Sequence, residues 1–340
     1  MSEQQQINNL SRHEAYKFLK LMPNPDGSVT RLGRVQNRVA TPEYDAANPS
    51  THLALSKDIT LNSTTNTFIR LFRPQNIPPK TKIPLIIYFH GGGFVLSSAT
   101  STLYHDSSCR TAAHIPAIIA SVNYRLAPEH RLPSAFEDGM DAVMWAKTQA
   151  LSSCDHDEWM KEHADFSKVF LMGISVGGTI VYHVGLRALD FNLQPMKIIG
   201  LIMNQPSFGG LRRTQSELKY FNDPVTPLHV VDLLWSLALP KGADRDHEYC
   251  NLEEVSKSRC ENIGRFPVCM VRGYNHDPFV DRQKDLLKML EARGVRVVSR
   301  FRDGGYHAAD LFNPQFAQLM HDDIKYFINS VVDGLLFSKL

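Results

Sequence analysis

The sequence predicts an α/β fold, a mostly parallel central sheet with helices on both faces. Two patterns carry that expectation. Between Ile83 and Asp303 short apolar, β-branched runs alternate with longer helical patterns, the order of a sheet crossed by helices. Several of the short runs are too uniformly apolar to own a wet face, as strands buried on both sides are. A length of 340 residues, 43% hydrophobic and 21% charged, suits one large domain or a core domain with a smaller appendage, and excludes disorder as the main state.

Taken in order, the first 50 or so residues are polar and hold two turn signals, Asn24-Pro25-Asp26-Gly27 and Asn48-Pro49. They are expected to form a cap segment, residues 1–50, ahead of the main domain over 51–340. Strands are predicted at 67–72, 83–89, 117–123, 169–172, 198–203, 268–273 and 295–301. Helices are predicted at 135–149 after Pro133, at 176–189, at 278–292 and from 314 to about 332, each by apolar residues three and four apart. The stretch from about 205 to 264 is too long for a plain connection. With a helical piece at 228–239 it reads as a cap insertion over the strand ends, since loops of that length are usually functional; peripheral decoration is the alternative for both segments.

Charge and composition narrow the function. Thirty-seven Lys and Arg against 35 Asp and Glu leave a net charge of +2 with no basic block, so no nucleic-acid partner is expected and a small molecule is. No apolar run approaches the roughly 20 residues of a membrane helix, and the start of the chain is too polar for a signal-peptide core. A soluble, intracellular, unsecreted protein is expected. The five cysteines are few, odd in number and form no C-x-x-C pair, which argues for reduced thiols over a disulfide framework or a zinc ribbon.

Three motifs carry chemistry. Gly173-Ile174-Ser175-Val176-Gly177 follows a predicted strand and opens a predicted helix, the context in which G-x-S-x-G projects a serine from a strained turn. His90-Gly91-Gly92-Gly93-Phe94 ends another strand, and the N–H groups of Gly92 and Gly93, with that of Val176, are placed to meet an oxyanion. A phosphate loop is disfavoured, because no Lys-Ser/Thr follows. A serine needs a histidine to take its proton and a carboxylate to orient that histidine. Asp277, past the strand at 268–273, and His307, past the strand at 295–301, supply these in the order Ser, Asp, His at the sheet edge where ligands bind. Asp281 and Asp303 are less well placed; Asp281 is expected to support the loop or pair with Arg282.

With these stand Tyr124-Arg125-Leu126-Ala127-Pro128-Glu129-His130, Asp277-Pro278 and Gly305-Tyr306-His307, and the ensemble, from about Asn24 to the C-terminus, resembles the plant carboxylesterases of the hormone-sensitive-lipase class. The resemblance implies an α/β-hydrolase fold with a small helical cap, hydrolysis of small-molecule esters without cofactor or metal, Ser175 as nucleophile, His307 as base, Asp277 as orienter and Gly92, Gly93 and Val176 as oxyanion donors. Two departures flank the serine. The family usually has an acidic residue before it and alanine after it, and here stand Ile174 and Val176, which point to a small acyl group such as acetyl. Some members of the family act instead as a gibberellin receptor, a dehydratase or an alkaloid cyclase; the receptors lack the catalytic histidine, and His307 is present.

Further residues complete the reading. Phe94, Leu96, Phe208, Val225 and Leu228 are candidates to line an apolar substrate pocket. Asp155-His156-Asp157-Glu158 reads as a solvated loop in preference to a metal site. Ser338-Lys339-Leu340 matches the address read by a peroxisomal import receptor, so the peroxisome is one expected location and the cytoplasm the other.

Overall fold

The computed structural model describes residues 12–33, 35–43, 53–151, 156–258 and 260–335. The turn at Asn48-Pro49, Asp155 and the terminal Ser338-Lys339-Leu340 lie outside the described residues. The chain opens with helix α1 (Arg12–Phe18) and a hairpin of β1 (Leu21–Pro23) and β2 (Val29–Arg31). The predicted turn at Asn24 to Gly27 joins its strands, with Gly27 at φ 87 and the Asn24 N–H donating to Ser28 O at 2.9 Å.

The main sheet begins with β3 (Ala54–Asn62), β4 (Thr67–Pro74) and β5 (Ile83–Phe89), then α2 (Thr102–His114), β6 (Ile118–Asn123), α3 (Ser134–Leu151) and α4 (Glu158–His163). There follow β7 (Ala164–Ile174), α5 (Val176–Ala188), β8 (Ile198–Asn204), α6 (Gln215–Lys219), α7 (Leu228–Ala238), α8 (Leu252–Ser258) and α9 (Cys260–Ile263). The chain ends through β9 (Val268–Tyr274), α10 (Val280–Glu291), β10 (Val297–Arg302), α11 (Ala309–Phe312) and α12 (Pro314–Val332). The sheet order is β10-β9-β8-β7-β5-β6-β4-β3, parallel from β10 to β6 and antiparallel for β4 and β3.

The uniformly apolar runs behave as their composition demands. Leu85, Ile87 and Phe89 of β5 join a core with α3, α5 and α10, while the alternate Ile86 and Tyr88 join a second core with α2 and α12. In β7, Val169 and Leu171 go one way and Phe170 and Met172 the other. Successive side chains of a strand point to opposite faces, so a strand covered on both sides must be apolar at every position. Each such Leu, Ile or Phe contributes roughly 1.5–3 kcal/mol on burial.

Several elements depart from the sequence reading. β3 is an edge strand of alternating burial whose sequence, Ala54 to Asn62, mixes polar residues with few apolar ones. α2 buries His105, Ser107, Ser108 and Thr111 beside Tyr104 and Ala112, Thr111 Oγ1 meeting His321 Nε2 of α12 at 3.2 Å, so its inner face lacks a continuous apolar stripe by which a helix is read. β10 starts two residues later than expected because Val295 closes the turn after α10, its N–H donating to Leu290 O at 3.1 Å. Among the described residues no helix is long and apolar enough to cross a membrane.

Candidate active site

Distant segments of the chain meet above the C-terminal ends of β5, β7, β9 and β10. β7 ends at Ile174 and α5 begins at Val176, so one residue, Ser175, turns the chain, at φ 57 and ψ −126. That conformation costs a non-glycine residue on the order of 1–3 kcal/mol and persists only where neighbours hold it. Here the Ser175 N–H donates to Asn204 O at 3.0 Å and its carbonyl accepts the Ser207 N–H at 3.2 Å. The close approach requires glycines: a Cβ on Gly173 would lie 2.2 Å from Gly177 O, and one on Gly177 would lie 2.1 Å from Phe89 O.

His307, on the loop between β10 and α11, accepts the Ser175 Oγ–H on Nε2 at 2.9 Å and donates Nδ1–H to Asp277 Oδ2 at 2.9 Å. Asp277, fully buried after β9, accepts the Phe279 N–H on Oδ1 at 2.8 Å and the Gln283 Nε2–H on Oδ2 at 3.0 Å. The start of α10 thus orients the carboxylate that orients the imidazole. Burial pushes the His307 pKa down; the charge and hydrogen bond of Asp277 push it up and prevail, leaving it raised.

The glycine loop after β5 is left-handed over consecutive residues, with Gly92 at φ 115, Gly93 at φ 65 and Phe94 at φ 63. Its folding is local: Val95 and Leu96 donate to Gly92 O at 3.1 and 2.9 Å. Arg31 of β2 fastens it from outside, Nε donating to Val95 O and Nη2 to Ala127 O, both at 2.8 Å, while its guanidinium pairs with Glu129. Among the described residues no hydrogen bond takes up the N–H of Gly92, Gly93 or Val176, so these donors are available to a ligand. His90 does not join them. It is buried, stacks on Tyr124 at 4.2 Å, bonds Gly91 O through Nδ1 at 2.7 Å and is held neutral by burial, which lowers its pKa to about 4.

Residues 86–311 match the family of the α/β hydrolase fold. The chain belongs to the α/β-hydrolase family. It is 46% identical over 321 residues to probable carboxylesterase 8 of Arabidopsis thaliana, covering 93% of this chain and 94% of that protein. It is 47% identical over 280 residues to a 3-O-acetylpapaveroxine carboxylesterase of Papaver somniferum, covering 80% of this chain and 90% of that one. A gibberellin receptor of Arabidopsis thaliana is 34% identical over 344 residues, 94% of this chain and 89% of the receptor. Among solved structures an esterase of Pyrobaculum calidifontis has a TM-score of 0.68 at 21% identity, over 98% of this chain and 94% of that one, a likeness of fold.

In this α/β-hydrolase Ser175 and His307 open on a cavity of about 230 Å³. Among the described residues that line it there is no Asp, Glu, Lys or Arg; Ile174 and Val176 flank the serine in the chain, Tyr104 and Leu311 are on the lining with them, and Leu19, Val225, Val231, Leu234 and Trp235 come from α7 and the segments flanking it and α1. Of the residues expected to line a pocket, Phe94, Leu96 and Val225 do so. Phe208 and Leu228 are not on the lining: Ser207 faces the cavity, and its neighbour Phe208 turns the other way to pack edge-on against Tyr182 at 5.6 Å, while Leu228 is buried at the start of α7.

The rival carboxylates have other tasks. Asp281 accepts the Ser216 N–H at 2.8 Å and Arg282 pairs with Glu217, so Asp281 supports the loop and does not pair with Arg282. Asp303 accepts from Asn275 at 2.6 Å. Asp157 caps α4 through the N–H groups of Trp159 and Met160 and pairs with Lys57. Sequence reading missed Gln283, Leu234 and Trp235. The last two were within reach of it, since Val231, Leu234 and Trp235 fall on one face at helical spacing inside a segment already read as a cap.

Proposed function

We propose that this carboxylic-ester hydrolase is a serine esterase that transfers a small acyl group, about acetyl in size, from an alcohol to water. The observation that carries the reading is the unbroken chain from Ser175 through His307 to Asp277, 2.9 Å at each step, opening on an apolar cavity. His307 Nε2 takes the Ser175 proton as Oγ attacks the ester carbonyl, and the oxygen that gains charge faces the N–H groups of Gly92, Gly93 and Val176. Each such donor is worth about 3 kcal/mol in the transition state. The imidazolium, steadied by Asp277, gives its proton to the departing alkoxide. Water then repeats the cycle on the acyl-serine and releases the acid.

Residues 1–50 and 205–264 serve in this reading as the cap that selects the alcohol. Leu19 and the stretch from Val225 to Trp235 on the cavity wall support it. Ile174 and Val176 beside the serine support a short acyl group, as does the poppy relative, whose name specifies an O-acetyl ester. The complete Ser, His, Asp series favours turnover over the binding alone of a receptor.

The test is a series of p-nitrophenyl esters with an organophosphate label. The expected results are a kcat/KM maximum between acetyl and butyryl, because a longer acyl group lifts the carbonyl from its donors, and labelling confined to Ser175. A maximum at long chains rejects the small acyl pocket. Binding without turnover turns the reading to a receptor, and product formation that survives Ser175→Ala but not His307→Ala turns it to a lyase or cyclase.

A further inference from the structure

β8 contributes nothing to the Ser, His, Asp series, yet its end ties the nucleophile to the base. The strand lies between β7, which leads to Ser175, and β9, which leads to Asp277. Its last residue, Asn204, takes the Ser175 N–H on its carbonyl at 3.0 Å. The next, Gln205, is held at φ 48, donates its own N–H to Arg272 O at 2.6 Å and accepts the Ala308 N–H on Oε1 at 2.7 Å. Ala308 directly follows His307 and is itself left-handed at φ 59. The two amide side chains then converge, Asn204 Nδ2 and Gln205 Nε2 donating to the same oxygen, Asp310 Oδ2, at 2.8 and 2.9 Å. Arg272 Nη1 meets that oxygen at 2.9 Å, and all four side chains are buried.

We propose that Asn204 and Gln205, anchored on Asp310, are positioning residues that set the separation of Ser175 from His307; this rests on the esterase reading above. The two reacting side chains are 132 residues apart in sequence and ride on separate loops, so their 2.9 Å contact requires that both loops be referred to one rigid point. The end of β8 is that point: its backbone fixes the serine turn, and one carboxamide fixes the histidine loop. Left-handed alanine and glutamine are disfavoured locally and persist only where surroundings over-determine them. Gln205 is suited to the task as a carboxylate is not. Its oxygen must accept from Ala308 while its nitrogen donates to Asp310; an amide does both at any pH, whereas an ionised carboxylate can only accept. If the network merely held α11 to the sheet, its loss would lower stability and leave the chemistry of the folded enzyme alone.

Two variants of the full chain, measured beside the wild type on p-nitrophenyl acetate with organophosphate titration of active sites, decide it. Gln205→Ala should lower kcat about 10- to 100-fold per titrated site, the cost of a misplaced reacting group, while KM stays nearly constant. Gln205→Glu keeps the acceptor for Ala308 but sets a carboxylate against Asp310, so the two share one proton at lower pH and repel when it leaves. The charged and titratable groups that face this pair are Arg272 and Tyr274 from β9, Tyr88 from β5 and His307 from its loop, with Asp323 of α12 on the other side of Arg272. Loss of the shared proton moves the His307 loop, so Gln205→Glu should show an activity that falls on the alkaline side, where the wild type stays on its plateau. Should Gln205→Ala fail to fold, the Gln205→Glu profile decides alone. A kcat within twofold of wild type for Gln205→Ala, or a Gln205→Glu profile that overlays the wild type, overturns the inference while the labelled, active wild type leaves the esterase reading standing. A wild type that neither turns over nor is labelled overturns that reading and this inference with it.

Discussion

At Ser175 the backbone conformation, φ 57 and ψ −126, lifts a hydroxyl off the sheet and into reach of His307. What the serine can do there depends on the state of that histidine. Asp277 fixes the tautomer by accepting from Nδ1, leaving Nε2 free to accept the serine proton. Asp277→Asn is therefore expected to lower kcat about 10⁴-fold with little change in KM, measured by steady-state kinetics on a short acyl ester. The pH dependence follows with a definite sign. Because Asp277 raises the His307 pKa against the effect of burial, the imidazole becomes neutral at a higher pH than a free histidine, so kcat/KM should rise with pH to a plateau through a midpoint above about 6.5. In Asp277→Asn, burial acts without that opposition and the residual activity should show its midpoint at lower pH. A rate that falls from acidic to neutral pH would remove His307 from the role of base.

Among elements, α7 and the glycine loop bear on each other directly. A Cβ on Gly93 would lie 2.5 Å from Leu234 Cδ1, and the residue sits at φ 65. Gly93→Ala is thus strained at this φ and presses on the tip of Leu234, and the loss of an aligned donor should cost about 10²- to 10³-fold in kcat. Adding Leu234→Ala removes the clash but not the backbone strain, so the double variant is expected to recover part of the activity and not all of it. Equal activity of the single and double variants, by the same assay, would show that contact with α7 does not set the loop. α7 was legible from Val231, Leu234 and Trp235 at helical spacing, whereas α2 was not, because a helix that buries Ser107, Ser108 and Thr111 leaves no apolar periodicity to read.

At the scale of the whole molecule, Arg272 joins the sheet to the helices that close one of its faces. Fully buried on β9, it donates to Asp310 of α11 at 2.9 Å and to Asp323 of α12 at 3.0 Å, with Tyr274 Oη accepting at 2.7 Å. A buried pair is weak evidence of net stability, but breaking it leaves Asp310 a buried charge held by neutral donors alone. Arg272→Met should destabilise the fold by about 3–5 kcal/mol, read from the shift of the urea midpoint in equilibrium unfolding. A midpoint shift equivalent to under about 1 kcal/mol would mean that Asp310 and Asp323 are satisfied without the guanidinium.

The sequence by itself predicted most of the sheet and its crossover helices, β3 and α2 apart, and singled out Ser175, Asp277, His307 and the glycine loop. Uniform apolarity leaves a strand no wet face, and a serine between glycines at a strand-to-helix junction has few conformations open to it. Tertiary structure decided what lies around them. That Phe208 turns into the core against Tyr182 while Ser207 faces the cavity, and that Gln205 reaches Ala308, are contacts between segments tens of residues apart, and that Gln283 steadies Asp277, only six residues away, depends on how the loop before α10 folds back on the helix. A polar side chain carries the same local signature in water as in a buried network. Its partner is selected only when packing removes the water and leaves one acceptor within reach.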